Sequence, residues 1–463
     1  LSGAGIENPV VQVKKTATQS VCPVCLARLP AQREQDGEDG WLVRTCPEHG
    51  TFRTRFWHGP PGPAGWDRPK IPRAGSQPAG SAPEPGCPYV CGLCPEHHQR
   101  TCTVVVEVTT RCNLGCPICF ADAGSAAGPD APLGEIAARL RLARQKAGPA
   151  NVQLSGGEPT LRADLPEIVQ AAKAAGFPFV QLNTNGLALA AEPALAKRLA
   201  QAGLDSVFLQ CDGVTDAAHI GLRGRALARK KRAALDAAMA AGLGVVLVAT
   251  LLPGINDGEI GALVRLAASL APGVRGVHYQ PAARFGRYPG DGATAPRLTL
   301  PEVMAALEEQ TGGLIRASDL HPPCCEHSLC SFSASYFVNP DASLTLAGGG
   351  CCDTATPEQT ALPAEEGARQ SMAFVARQWG PARAAPEPAA IRDDFDRFLA
   401  AAASRPKISV SAMAFMDAWT LDLERARGCC IHVAASDGRL IPFCLYNLTA
   451  ADGTALYRPV SCA

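Results

Sequence analysis

Residues 103–120 read TVVVEVTTRCNLGCPICF: a β-branched run, three cysteines spaced Cys112-x3-Cys116-x2-Cys119, and a closing aromatic, Phe120. The run from Val104 to Val108 has the apolar, β-branched composition of a buried strand. Three thiolates on one loop can hold three irons of a four-iron cubane and leave the fourth open to an external ligand. The same spacing recurs just upstream as Cys87-x3-Cys91-x2-Cys94. Two such triads suit clusters better than a core; a structural zinc knuckle is the competing reading.

From Thr103 to about Gly312, short β-rich runs alternate with Ala/Leu/Arg-rich helical stretches. The strand candidates are 103–109, 150–154, 178–183, 206–210, 243–250 and 275–280. Helical stretches lie near 133–146, 165–175, 188–202, 225–241 and 257–270. Such alternation predicts right-handed β-α units around a parallel sheet. Six units make an α/β fold, a partial (β/α)6 TIM-like barrel, with ligands gathered at the carboxyl ends of the strands.

Composition sets the boundaries of function. The chain has 463 residues, balanced formal charge, 5% aromatics and 20 cysteines. Zero net charge gives no global attraction to nucleic acid or an anionic membrane, and few aromatics disfavour base stacking. Cysteines in C-x-x-C-type spacings, with no export signal in LSGAGIENPVVQVKKTATQS, point to metal ligation in a reducing, cytoplasmic setting. The longest uncharged stretch, Ala237 to Leu252, is short for a membrane span and is split by Gly242 and Gly244. It fits a helix end leading into a buried strand.

Around the barrel, four further segments are distinguishable. Residues 17–58 carry Cys22-Pro-Val-Cys25 and Cys46-Pro-Glu-His49, two knuckles of a ribbon around one tetrahedral metal, zinc or iron. Residues 59–86 are Pro/Gly-dense and read as a linker or extended strap. Residues 87–102 form an auxiliary iron–sulfur segment in which Cys102 follows Cys94 closely enough to supply a fourth thiolate. Residues 313–463 form a Cys-rich α+β region with Cys324, Cys325, Cys330, Cys351, Cys352, Cys429, Cys430 and Cys444. There Cys325, Cys330, Cys429, Cys430 and Cys444 are candidate ligands of a further cluster, with inert buried thiols as the alternative. The stretch 353–392 looks loop-like.

Strand ends supply the remaining candidates. Ser155-Gly156-Gly157-Glu158-Pro159 follows the strand NVQL, and paired glycines let a backbone approach a ligand closely. Asn183 and Asp212 end the third and fourth strands, placed to meet ribose hydroxyls or the substrate, or else to cap the next helices. His278-Tyr279-Gln280 ends the sixth, and Arg284 and Arg287 beyond it read as anchors for a substrate anion. The basic run Arg223–Arg232 reads as a solvated helix face, with contact to lipid headgroups, phosphates or nucleic acid as the alternative.

The second triad with its aromatic resembles the cluster loop of the radical S-adenosylmethionine (SAM) superfamily, and residues 156–159 resemble that superfamily's GGEP motif. The resemblance implies a [4Fe–4S] cluster on Cys112, Cys116 and Cys119, with SAM held near Gly156, Gly157 and Glu158. The ordered set of ribbon, two triads, GGEP and the late run GRLIPFCLYN resembles the branch holding archaeal tetraether lipid synthases and methylene-folate-type methylases, over about residues 20–458. That branch implies auxiliary [4Fe–4S] clusters and a mononuclear metal. It also implies an electron donor such as flavodoxin or ferredoxin, a small-molecule or lipid substrate, and C–C coupling or methylation at an unactivated carbon. The rival class is a zinc-binding protein that recognises nucleic acid or another protein.

Overall fold

The computed structural model describes residues 13–81, 84–124, 128–289, 296–347, 361–382, 393 and 405–458. Cys351 and Cys352 lie outside them. Four strands, β1 (Lys14–Val21), β2 (Arg28–Asp36), β3 (Asp39–Cys46) and β4 (Gly50–Trp57), form an antiparallel meander. A two-residue strand β5 (Lys70–Ile71) follows. The barrel strands are β6 (Thr103–Thr109), β7 (Asn151–Gly156), β8 (Val180–Thr184), β9 (Ser206–Gln210), β10 (Gly244–Leu251) and β11 (Val274–Pro281). They lie side by side in sequence order, all parallel. The late chain adds β12 (Ser331–Val338), β13 (Leu344–Leu346), β14 (Leu362–Pro363), β15 (Lys407–Met413), β16 (Ile431–Ala434) and β17 (Leu440–Pro442).

Each crossover between barrel strands carries a helix, as right-handed β-α units require. The period-two alternation of the strands sorts the side chains. Val104, Val106, Val152, Leu154, Val180, Leu182, Val207, Leu209, Val245 and Leu247 face the helices and form the main core. Helix Leu165–Ala174 shows the complementary stripe, burying Leu165, Ile168, Val169 and Ala172. Each fully buried Leu, Ile or Val contributes about 1.5–3 kcal/mol of transfer free energy. The stretch around 237–252 resolves into helix Ala228–Ala240 and the buried strand β10.

The C-terminal region joins the same sheet. β15 runs parallel to β11 at one edge and β16 parallel to β6 at the other. Antiparallel β12 and β17 lie beyond them, and β13 pairs antiparallel outside β12, giving eleven strands in an open sheet. The open side of the barrel is therefore flanked by elements from the end of the chain.

Two sequence readings change here. Within 59–86, Trp66 is buried against Trp57 at 6.0 Å, donates its indole N–H to the Ser328 carbonyl at 2.9 Å, and β5 pairs with β14. This part of the strap is packed. Within 353–392, Ala364–Trp379 is a helix. Its two N-terminal glutamates and Ala/Arg/Gln content favour helix, but the flanking prolines made the whole stretch look like loop.

Candidate active site

The inward faces of the strands enclose a cavity of about 340 Å³. Its wall at the carboxyl ends of the strands includes Cys112, Cys116, Cys119, Gly156, Gly157, Glu158 and Asn183. At the opposite end it includes Cys102, Asn151 and Phe179, where β6, β7 and β8 begin. The cavity thus runs through the barrel between two groups of cysteines.

The cluster loop is clamped by backbone contacts that only glycine permits. Gly157 and Glu158 donate their N–H groups to the carbonyls of Thr109 and Arg111, each at 2.8 Å. A Cβ on Gly156, which sits at φ +124°, would lie 2.2 Å from the Thr109 oxygen; one on Gly157 would lie 2.1 Å from that of Arg111. The Gly-Gly pair is therefore needed first to dock the turn on the base of the cluster loop. Glu158 continues the clamp. Its carboxylate accepts from the Thr160 N–H and hydroxyl, the Thr184 hydroxyl at 2.6 Å and the Asn185 N–H at 2.7 Å. Asn185 donates in turn to Asn113, inside the cluster loop, at 2.8 Å.

The three loop cysteines fit a cluster by chemistry and placement. Burial raises the thiols of Cys112 and Cys116, and the Leu114 N–H points at the Cys112 sulfur at 3.4 Å. Cys116 packs with Leu114 and Leu227, an apolar wall beside the loop. Arg287, read as an anion anchor, is a brace instead. It pairs backbone to backbone with Cys119 and donates Nε to the Cys116 carbonyl at 2.8 Å. Phe120 rests on Phe443 with ring centroids 5.5 Å apart.

Asp212 is not part of the cavity wall. It is fully buried, and Arg223 donates Nε and Nη2 to its two oxygens at 2.7 Å each. Burial opposes the charged carboxylate, but the guanidinium reverses this and holds its pKa below the usual range. Asp212 thereby fixes Arg223, whose Nη1 reaches the Ile118 carbonyl at 3.3 Å between two cluster cysteines. The expected ribose contact gives way to a brace behind the loop. Asn183 does line the cavity; its Nδ2 lies 3.4 Å from Ser155 Oγ. The basic run is likewise not all solvated. Arg223 and Lys231 are buried, and burial lowers Lys231 to about 8 while it donates to the Asn185 carbonyl at 2.7 Å.

Away from the barrel mouth, the cysteines sort into groups. Cys87 and Cys91 are buried against Val433 and Leu445, with Cys94 as an electrostatic neighbour. Cys102 does not complete that triad. Its sulfur lies 3.0 Å from that of Cys430, and with Cys325 the three ligand atoms fall within 4.8 Å of one another. The reason is register: β6 starts at Thr103 opposite Ile431 of β16, so the residues before each strand meet. Hydrogen bonds with Cys325 and Cys430 hold the Cys102 thiol well below its usual range. Cys330, Cys429 and Cys444 form another neighbourhood, each thiol raised chiefly by burial. Arg425 donates to the Cys330 sulfur at 3.4 Å.

In the ribbon, β1 ends beside Cys22 and β3 ends on Cys46, so the two knuckles converge. The ligand atoms of Cys22, Cys25, Cys46 and His49 all lie within 4.8 Å of one another, a donor set that fits one tetrahedral metal. His49 hydrogen-bonds Cys46 and lowers its thiol to about 7, favouring the thiolate a metal needs. X-ray absorption of the purified protein will show one mononuclear zinc or iron with sulfur near ~2.3 Å if zinc. Absence of any mononuclear metal refutes the assignment.

Sequence reading did not single out Gln153, Gln181, Phe208 or Trp379, all on the cavity wall. For the first two the signal was present: NVQLS and VQLNT place polar residues at alternate positions of otherwise apolar strands.

The pattern of the radical SAM superfamily matches residues 106–267, and that of the HMPTM N-terminal zinc ribbon domain matches residues 15–58. A 7,8-dihydro-6-hydroxymethylpterin dimethyltransferase of Methanocaldococcus jannaschii is 33% identical over 473 residues, covering 93% of each chain. A probable GTP 3',8-cyclase of Aeropyrum pernix is 31% identical over 39% of this chain and 51% of its own. Among solved structures, Streptococcus suis SuiB bound to S-adenosylmethionine aligns with a TM-score of 0.39 and 16% identity, over 46% of this chain and 47% of that one. Among the described residues no helix is long and apolar enough to cross a membrane. With a relative of that identity along nearly its whole length, the chain belongs to the radical SAM superfamily, enzymes that cleave SAM reductively at a [4Fe–4S] cluster and abstract hydrogen with the 5′-deoxyadenosyl radical.

Proposed function

We propose that this enzyme methylates a carbon of a reduced pterin or a close bicyclic analogue. The observation that carries this reading is a set of four amide side chains set into the otherwise largely apolar wall of the barrel. Gln153, Gln181, Gln210 and Gln280 project from four different strands into a cavity of about 340 Å³. Gln153 and Gln210 each spend one end of the amide on a protein partner, and a lipid chain would leave the other end unpaired at about 1–3 kcal/mol each, so the wall favours a compact polar ring. The relative named as a dihydropterin dimethyltransferase supports the same choice.

In this reading Cys112, Cys116 and Cys119 hold the cluster, the Gly156–Glu158 turn and Asn183 receive SAM, and the barrel orients the substrate. When bound, cluster and SAM supply the radical that removes hydrogen from an unactivated carbon. The chain itself excludes water with Leu114, Ile118 and Phe285, and holds the loop rigid through Arg223, Arg287 and Glu158. Cys87, Cys91 and Cys94, the Cys102 group and the Cys330 group are the auxiliary ligands. Electrons come from a cytoplasmic donor such as flavodoxin or ferredoxin.

Product mass spectrometry tests the reading. Reconstituted enzyme given reductant, SAM, a one-carbon donor and 7,8-dihydro-6-hydroxymethylpterin will add one methyl per turnover. Loss of two hydrogens from a lipid would support coupling instead, and an isomer of unchanged mass would sink both.

A further inference from the structure

We propose that Gln153, Gln210 and the ring cluster Phe208–His278–Trp379 form a preorganised reader for one planar nitrogen heterocycle, gripping its face and its amide-like edge. It deepens the pterin reading and rests on it for the choice of the first probe.

The aromatic wall is three rings in mutual contact. Phe208 lies 5.4 Å from His278 and 5.4 Å from Trp379, and His278 lies 6.0 Å from Trp379. Each comes from a different element: β9, β11 and the end of helix Ala364–Trp379. Two are pinned from behind by hydroxyls of one strand. Trp379 donates its indole N–H to Ser409 at 2.9 Å, and His278 Nδ1 lies 2.9 Å from Ser411, both on β15. Rings locked in this way lose little entropy when a flat ligand stacks on them. Burial pushes His278 down to about 4, so near neutral pH it is an uncharged ring.

The helix that carries Trp379 is itself fixed. Arg275, at the start of β11, donates to the Gln378 carbonyl at 3.0 Å. A Cβ on Gly244, which opens β10, would lie 2.2 Å from the Trp379 carbonyl oxygen. Glycine at that strand start is what lets the helix end seat against the barrel and bring the indole to the cavity.

The amides are oriented rather than freely rotating. Lys231 can only donate, and it reaches Gln210 Oε1 at 3.3 Å, which leaves the Gln210 NH2 group for the cavity. Gln153 donates its own NH2 to Gln181 Oε1 at 2.7 Å, and Gln181 donates to Ser206 Oγ at 3.1 Å. That chain of donors leaves the Gln153 carbonyl for the cavity. One fixed acceptor and one fixed donor match a ring that carries both an N–H and a C=O. A hydrocarbon would strand both groups.

Titration of full-length, reconstituted, SAM-saturated enzyme with 7,8-dihydro-6-hydroxymethylpterin decides the matter. Trp379→Ala and Gln153→Met should each weaken pterin binding about tenfold, the scale of one lost stacking or amide contact. Trp379→Phe should restore most of the affinity. The Kd for SAM should not move, which reports that each variant is folded and loaded. If pterin binds the parent and both weakening variants equally well, the reader is wrong while the proposed function stands. If the parent ignores pterin but binds guanosine, and the same two variants lose guanosine, the substrate is misassigned and the reader stands. Binding of neither ring overturns the reader.

Discussion

Replacing Cys116 by alanine abolishes reductive formation of 5′-deoxyadenosine, a loss of about a thousandfold or more, on the scale seen when a group essential to chemistry is removed. Cys116 is a buried residue grouped with Leu114 and Leu227 on the wall of the cavity. Two thiols remaining on a loop meant to supply three cannot hold an open-iron cubane. The iron lost should amount to about one cluster, because the other cysteine groups lie elsewhere in the fold. The assay is anaerobic turnover with dithionite and chromatography of the nucleoside. Cleavage at the parental rate would move the SAM-binding cluster to Cys87, Cys91 and Cys94.

The second large effect is expected at Arg223. Arg223→Ala leaves Asp212 fully buried without its bidentate partner, at a cost of about 3–5 kcal/mol. It also removes the donor to the Ile118 carbonyl, so the cluster loop loses a brace between Cys116 and Cys119. The apparent melting temperature should fall and cluster reconstitution should become incomplete. Pairing the change with Asp212→Leu removes the stranded carboxylate and should recover much of the stability but not the loop brace. A single variant that melts and reconstitutes like the parent would show that the pair is incidental.

Several features were legible in the chain because they are local. The β-branched run before Cys112 is β6, and the six strand ranges match the observed ones to within about two residues, while helix Asp216–Arg223 went unread and 188–202 is two helices. Hydrophobic period and loop cysteine spacing are short-range properties, and each reads directly into an element or a loop. The ribbon knuckles were readable for the same reason: each pair lies on one turn, and only one metal geometry fits their types.

What the sequence missed depends on register and on long-range packing. Cys102 reads as a neighbour of Cys94, yet pairing of β6 with β16 carries it to Cys430, 328 positions away. Asp212 reads as a ligand contact at a strand end, but Arg223, one helix later, returns to take both oxygens. Arg284 and Arg287 read as an anion site, and backbone pairing with Cys119 turns Arg287 into a brace. Trp379 lies in a stretch that looks like loop, and only docking of its helix on Gly244 and Arg275 brings its ring into the cavity. The sequence by itself determined the β-α alternation and the superfamily, and it singled out one cysteine loop as the proposed cluster site. The tertiary structure decided which cysteines share a metal, which charges are braces and what shape the barrel offers a substrate, because those depend on side chains brought together from distant strands.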